Sequence, residues 1–472
     1  MTLRFHDTRT GALEPFQTLE PGVAKLYTCG PTVYDFAHVG NYRANLFYDL
    51  LHRHLEVSGY RVLHVMNLTD VDDKIIRSAA ERGLRIEEFT APYTEAFFED
   101  LRQLRARPAT HYPRATEHIP EMIDLIGRLL AKGLAYEAED GVYYRVSAFP
   151  TYGELAHLDR AGLRAGARVA QDEYEKESAT DFALWKRAQP VDEDVGAVWD
   201  APFGRGRPGW HIECSAMSMR YLGETLDVHT GGIDLLFPHH QNEVAQSEGA
   251  TGQRFSRYWL HSEHLVDATG GKMSKSLGNI ATLREVLDAG HDPAAVRMFL
   301  IGAAHYRSKL RMSEDALHAA GEQVRRLREL QGRLARLEAP PEARDAGLVE
   351  HASRARARYR EALDDDLNLP QGLGHLFELV REANAALDAG GVGPDGRTAL
   401  LGALADADAH LDVLASDGDE LDAEIEGLIA EREQARRERN FAVADELRDR
   451  LRARGIVLED TRDGVRWRRV RT

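Results

Sequence analysis

The sequence predicts an α/β protein: a nucleotide-binding domain of βαβ units split by an inserted subdomain, followed by a helical bundle and a small basic α/β unit at the C-terminus. Three observations predict it. Apolar strand, glycine turn and helical pattern follow one another at residues 22–67 and return at 226–251. Between them lies a mixed stretch. Past about residue 315, Leu, Ala, Arg and Glu dominate with helical periodicity.

In chain order, residues 22–28 read as a strand, and after Asn41 the residues Leu46, Phe47, Leu50, Leu51 and Leu55 share one helical face. Gly59 stops that helix, and "RVLHVMN", 61–67, supplies a second strand. The loop "HVGN", 38–41, then stands at a helix N-terminus, where unpaired N–H groups and the helix dipole favour an anion. Residues from about 110 to 205 are mixed, and the Pro- and Gly-rich "AQPVDEDVGAVWDAPFGRGRPGW", 188–210, reads as a linker. "ETLDVHTGGIDLLFPHHQNEVAQSEGATG" gives a strand, a glycine turn and a helix beginning near Pro238. Breaks at "LEAPPEARDAG", "LNLPQG" and "AGGVGPDGR" divide the helices of the bundle. The last segment offers helical patterns at 425–439 and 442–454, then two strand-like runs around the Asp463-Gly464 turn pair.

At 472 residues the chain exceeds one usual domain, and a prior of about 150 residues per domain suggests roughly three. "MTLRFHDTRTGALEPF" has no apolar stretch of signal-peptide length, and no run of about 18 apolar residues suggests a membrane span, so a soluble cytoplasmic protein is expected. Two cysteines, Cys29 and Cys214, make a disulfide framework untenable and leave buried thiols or metal ligation. The formal charge of −17 argues against indiscriminate attraction to nucleic acid. Residues 431–472, however, carry 13 Arg against nine Asp and Glu, so the tail is the basic end.

"TGGKMSKSLGN", 269–279, sets Lys272 and Lys275 with two serines on a loop bracketed by glycines. Small residues let such a loop move onto a polyphosphate, whose charge the ammonium groups neutralise. With "HVGN" before it, this resembles the class I aminoacyl-tRNA synthetases, whose signatures are "HIGH" near the first βα turn and "KMSKS" after the last strands of the nucleotide-binding domain. Val39 replaces isoleucine and Asn41 the final histidine. Asn41 cannot become cationic; as an N-cap it would order the helix instead. "YTCGPTVYDFAHVGN", "NLTDVDDKI", "GWHIECSAM", "GGIDLLFPHHQNE" and "HYRS" extend the resemblance, over essentially the whole chain, to the cysteinyl-tRNA synthetase family.

The resemblance implies a Rossmann-like class I catalytic domain at 1–110 and 206–265, an inserted connective subdomain at 111–205, and a KMSKS-loop stem-contact region at 266–315. A helical bundle at 316–417 and a C-terminal α/β anticodon-binding domain at 418–472 complete it. It implies one zinc per chain on Cys29, Cys214, His239 and Glu243, receiving the substrate thiolate. Trp210 would wall the cysteine pocket and Asp234 meet the substrate ammonium. His38, Asn41, Lys272 and Lys275 would bind ATP and serve catalysis: His38 and Lys275 at the α-phosphate, Lys272 in holding the loop, Asn41 in loop geometry, with magnesium accompanying ATP. Arg436, Phe441, Asp445, Asp460 and Trp467 would contact tRNA, since loop bases are read by stacking and by hydrogen bonds. The implied partners are L-cysteine, ATP and tRNA(Cys), with no membrane and a monomeric state.

The chemistry of the residues is compatible with such a site. Two thiolates, an imidazole and a carboxylate form a reasonable zinc set, and His239 with Glu243 has the i, i+4 spacing of one helix face. His240, three residues before Glu243, is also within reach, so spacing leaves both histidines open and the resemblance selects His239. Zinc with four protein ligands is normally structural and closed, whereas the resemblance implies a fifth ligand from the substrate. A soft thiolate binds zinc far better than the hydroxyl of serine does. An apolar pocket alone separates near-isosteres by only about 1–3 kcal/mol. Two rival readings share these motifs. One is a ligase of the mycothiol type, joining cysteine to an amino sugar through the same adenylate without a long tail. The other is a non-catalytic zinc and RNA-binding protein, against which "HVGN" and "KMSKS" in one chain argue.

Overall fold

The strand expected at 22–28 is Val23–Thr28, at the interior of a four-stranded parallel sheet. Arg61–Met66 lies on one side of it and Leu226–Gly232 on the other, with Ser256–Ser262 beyond. A parallel sheet has both faces covered, which is why Val23, Ala24, Leu26, Tyr27 and Thr28 are all buried. The crossover between the first two strands is the helix Val39–Val57; Leu46, Phe47, Leu50, Leu51 and Leu55 are buried as expected, but so are the polar residues between them, Asp49, His52, Arg53 and His54, so the helix is covered on every side there. Strand order reverses between Val23–Thr28 and Leu226–Gly232. The crevice at the carboxyl ends of strands at such a switch point is where α/β sheets bind ligands.

This computed structural model describes residues 2–158, 180–271, 281–338, 345 and 347–415. Beyond these it describes 428–429, 431–432, 434–435, 443–444, 447–448, 450–451, 456–461 and 464–469. Two compact units are present, Met1–Asp412 and Val413–Thr472.

Between the halves of the parallel sheet stands an antiparallel sheet of Ala135–Ala138, Gly141–Tyr144, Phe182–Arg187 and Gly206–Pro208. The stretch 188–210 is therefore not a linker. It folds as a short helix, Pro190–Asp194, and the strand Gly206–Pro208, and it leads into the helix Trp210–Leu222. Its prolines and glycines serve geometry. Pro190 occupies a first helical position, and a Cβ on Gly206 would lie 2.1 Å from the Lys186 carbonyl oxygen.

The helix expected near Pro238 begins at Gln241 and runs to Thr251. The turn Leu236–His240 precedes it, with Phe237 extended at φ −137° and ψ 130°. Glu314–Ala335, Leu348–Asp364, Leu369–Asp388 and Pro394–Leu411 are helices of the bundle, with Ser313 and Asn368 capping two of them. In the second unit Leu428, Leu447 and Leu451 form a small core, and Ile456–Thr461 pairs antiparallel with Gly464–Arg469. Much of the helical pattern expected at 425–454 lies outside the described residues. Among the described residues no helix is long and apolar enough to cross a membrane.

Candidate functional site

A cavity of about 600 Å³ opens at the switch point. Cys29, the residue after the strand Val23–Thr28, lines it, its N–H bonded to the Thr230 carbonyl at 3.1 Å. Gly30 must come next: a Cβ there would fall 1.8 Å from the Asn67 carbonyl oxygen, and its N–H donates to Asn67 Oδ1 at 2.9 Å. The "NLTDVDDKI" stretch thus shapes the cavity floor. Asn67 Nδ2 donates to Thr69 Oγ1 at 3.1 Å, which in turn donates to Glu213 Oε2 at 3.1 Å.

Helix Trp210–Leu222 brings Cys214 to within 3.9 Å of the Cys29 sulfur. The turn before Gln241 brings in His239, whose Nε2 is 3.4 Å from Cys214 Sγ and 3.2 Å from Glu243 Oε1. Glu243 Oε1 is 3.9 Å from Cys29 Sγ. A tetrahedral ion with bonds of about 2.0–2.3 Å places its ligands roughly 3.3–3.8 Å apart, so the four donors are spaced to hold one. A second, overlapping group is Cys29, His229, His240 and Glu243. The cavity separates the two. Cys29, Cys214 and His239 line it, whereas His229 and His240 do not. Only the first group joins both sulfurs, and three of its four donors line the cavity.

All four donors are buried, and among the described residues no lysine or arginine pairs with them. Burial, then Cys214, pushes the Cys29 thiol up; burial pushes the Glu243 carboxyl well above its usual range and the His239 imidazole well below its own. A dication at their centre would reverse this and draw the protons off. The surrounding contacts suit that purpose. His229 Nε2 lies 2.9 Å from Glu243 Oε2, and His211 Nδ1 lies 2.9 Å from His239 Nδ1. His240 Nδ1 is 2.8 Å from His261 Nε2, whose ring in turn reaches Thr8 Oγ1 at 2.8 Å.

Trp210 and Asp234 also line the cavity. Trp210 is 39% exposed, a high value for tryptophan, and it stacks on His239 with centroids 4.3 Å apart. One indole face is therefore available to a ligand. His38 and Asn41 line the same cavity, so the "HVGN" loop and the sulfur cluster share one space. Asn41 is not the N-cap. Helix Val39–Val57 starts earlier, His38 is the cap, and the two residues form a reciprocal box: Asn41 N–H donates to His38 Nδ1 at 3.1 Å and His38 N–H to Asn41 Oδ1 at 3.0 Å.

Lys272 and Lys275 lie outside the described residues, as do Arg436, Phe441 and Asp445. Asp460 and Trp467 fall on the paired strands Ile456–Thr461 and Gly464–Arg469, Trp467 opposite Leu458. The ring of His229, His240 and His261 escapes sequence reasoning. His229 and His261 sit on separate strands 32 positions apart, and only the parallel pairing of Leu226–Gly232 with Ser256–Ser262 joins them.

Residues 15–322 match the family described as tRNA synthetases class I (C) catalytic domain, 358–414 the DALR domain, and 418–468 the cysteinyl-tRNA ligase anticodon binding domain. A curated relative from Solibacter usitatus, named Cysteine--tRNA ligase, is 47% identical over 99% of this chain and 100% of its own length. Another of that name from Leptospira interrogans is 45% identical over 99% of each. Among solved structures, Mycobacterium tuberculosis methionyl-tRNA synthetase in complex with methionyl-adenylate superposes with a TM-score of 0.60 at 16% identity, over 83% of this chain and 90% of that one. That likeness shows the class I fold.

Proposed function

The chain belongs to the class I cysteinyl-tRNA synthetase family, and from that premise we propose that it joins L-cysteine to tRNA(Cys) at the expense of ATP, through a cysteinyl-adenylate. The observation that carries the proposal is the shared cavity: Cys29, Cys214, His239 and the "HVGN" helix terminus line one space of about 600 Å³. Cys29, Cys214, His239 and Glu243 would hold zinc, which when bound supplies a thiolate-selective contact that distinguishes cysteine from serine. Magnesium would accompany ATP.

The chain's own residues then orient the reactants. Trp210 offers a flat wall beside His239, and Asp234 a carboxylate for the substrate ammonium. The N-terminus of helix Val39–Val57, held by the His38–Asn41 box, directs N–H groups and the positive end of its dipole toward the phosphates. Charge developing on the α-phosphate would meet His38 and Lys275, with Lys272 ordering the loop. No side chain acts as a nucleophile; the cysteine carboxylate attacks the α-phosphate and pyrophosphate leaves, and a terminal ribose hydroxyl of tRNA then attacks the activated carbonyl, forming the ester, giving up its proton and releasing AMP. The basic tail, with Arg436, Phe441, Asp445, Asp460 and Trp467, would read the anticodon. A monomer in the cytoplasm completes the reading.

The match at 418–468 supports tRNA, rather than an amino sugar, as acceptor. The test is cysteine-dependent exchange of pyrophosphate into ATP, together with charging of a purified tRNA pool. Both should proceed with cysteine and fail with serine. Exchange without charging of any tRNA would refute the acceptor assignment, and no exchange would refute the enzyme.

A further inference from the structure

The "HYRS" stretch, 305–308, is not absorbed by the cavity chemistry above, yet it is a turn held from two sides. Asp366, buried and at φ +61°, grips it from the bundle side. Its Oδ1 accepts from Tyr306 OH at 2.6 Å and from the His6 N–H at 2.8 Å, and its Oδ2 accepts from Arg307 Nε at 2.7 Å. Its carbonyl oxygen lies 2.9 Å from His305 Nε2. Arg43, from helix Val39–Val57, holds the other side by donating to the carbonyls of Leu300, Ala304 and His305. Tyr306 also stacks on Phe47 at 4.3 Å.

The chain leaving this turn is equally fixed. Leu310–Arg311 pairs in parallel with Leu265–Val266, Glu263 N–H donates to the Tyr306 carbonyl at 2.8 Å, and Leu310 N–H donates to the His264 carbonyl at 3.0 Å. Between the turn and the strand stands Lys309. It is exposed, lines the cavity, and has no ion pair or hydrogen bond among the described residues.

Charge makes that position informative. Among the described residues lining the cavity, Arg43 and Lys309 alone carry a permanent positive charge, against the carboxylates of Asp35, Asp234 and Glu263. Burial lowers the Arg43 guanidinium to about 10, so it stays cationic at neutral pH, but both of its terminal nitrogens, Nη1 and Nη2, donate to backbone carbonyls, and its Nε is buried. A phosphate entering this space therefore finds one uncommitted ammonium on a fixed part of the wall. An ammonium is a compact charge with three donors, well suited to phosphate oxygens.

We propose that Lys309 is a phosphate-binding residue of the active site, presented on a platform that Asp366 and Arg43 hold in place. The phosphate belongs either to ATP or to the acceptor end of the tRNA. The inference rests on the ATP-dependent reading above; exchange by the unaltered chain tests that reading, and the ratio of variant to unaltered chain tests this one. Full-length Lys309→Ala and Lys309→Arg are compared for KM of ATP and of cysteine in pyrophosphate exchange without tRNA, and for KM of tRNA in charging. With ATP as the source, Lys309→Ala raises KM for ATP about tenfold, equivalent to about 1.4 kcal/mol, leaves KM for cysteine unchanged, and is largely rescued by Lys309→Arg. With tRNA as the source, exchange is unaltered and KM for tRNA rises by a similar factor. Unchanged constants for both substrates overturn the proposal. So does a uniform loss across ATP, cysteine and tRNA that arginine does not restore.

Discussion

Two buried polar clusters in the first unit invite comparison, because they stand in opposite electrostatic states. Cys29, Cys214, His239 and Glu243 face one another with no internal counter-charge, and burial drives Glu243 up and His239 down. Asp49, Arg53 and Arg297 are as deeply buried, but they are mutually satisfied. Arg297 pairs with Asp49 and donates to the carbonyls of Leu104 and His410 at 3.0 and 3.1 Å. Arg53 Nε lies 2.9 Å from Asp49 Oδ2, and its Nη2 donates to Asp412 at 2.8 Å. Burial alone would raise the Asp49 carboxyl, yet Arg297 and Arg53 outweigh it and hold the group below its usual range. A cluster that closes on itself is architecture, here joining helices Val39–Val57, Pro293–Gly302 and Pro394–Leu411. A cluster that leaves its donors uncompensated is built for something that arrives.

The largest expected effect tests the closed cluster. Asp49→Ala strands two guanidinium groups in a dry interior and should cost about 3–5 kcal/mol of unfolding free energy in urea. The metal content of the chain that remains folded should not change. A cost below about 1 kcal/mol, within the range of an exposed pair, would break the comparison from this side.

The open cluster should behave differently. A ligand bound by the folded state alone adds RT ln(1 + [L]/Kd), about 2.7 kcal/mol at a hundredfold excess over Kd. The thermal midpoint should therefore climb with free zinc in the unaltered chain and ignore it in Cys214→Ala. Discrimination against serine should fall in that variant toward the roughly 10–200-fold that shape alone supplies. A variant that still rejects serine as before would show that recognition lies elsewhere.

How much of this is legible in the sequence depends on the range of each signal. The unit 23–66 is readable because its cues are local: an apolar run, a glycine turn, and five apolar residues at helical spacing. The stretch 188–210 misleads because Pro and Gly mark tight geometry as readily as looseness, and only the pairing of Gly206–Pro208 with Phe182–Arg187 tells which. Spacing does not choose between His239 and His240, because both reach Glu243; what separates them in the structure is that His239 lines the cavity and His240 does not. Lys309 carries no signal at all. Its significance depends on which carbonyls occupy Arg43, more than 250 positions away.

A smaller signal should appear in the pH dependence of stability. The folded Asp49 carboxyl titrates below its unfolded value of about 3.9. Fewer protons are then bound in the folded state near that pH, so the contribution of Asp49 is complete above about pH 5 and declines as pH falls through the unfolded and then the folded value. Burial lowers the Arg297 guanidinium as well, but a guanidinium titrates far above this window and stays charged throughout it. Urea unfolding from pH 6 to 3 should lose a measurable part of its slope in Asp49→Asn. An unchanged slope would mean that Asp49 is not held in its charged form.

The smallest effect concerns the His38–Asn41 box, where a structural and a functional role overlap on one residue. Asn41→Ala removes the acceptor for the His38 N–H and should cost about 0.5–1 kcal/mol of stability. Alanine alone cannot separate the cap from the anion site, but Asn41→Asp can. Aspartate keeps an acceptor oxygen at the third helical position, and its charge complements the helix dipole, so stability should be held or slightly raised. Asn41 lines the cavity, so if the phosphates bind at this helix terminus as proposed, the same charge would repel them and should raise KM for ATP severalfold while leaving KM for cysteine alone. If Asn41→Asp binds ATP as well as the unaltered chain, the helix terminus is only a helix terminus, and the nucleotide must be held from the other wall.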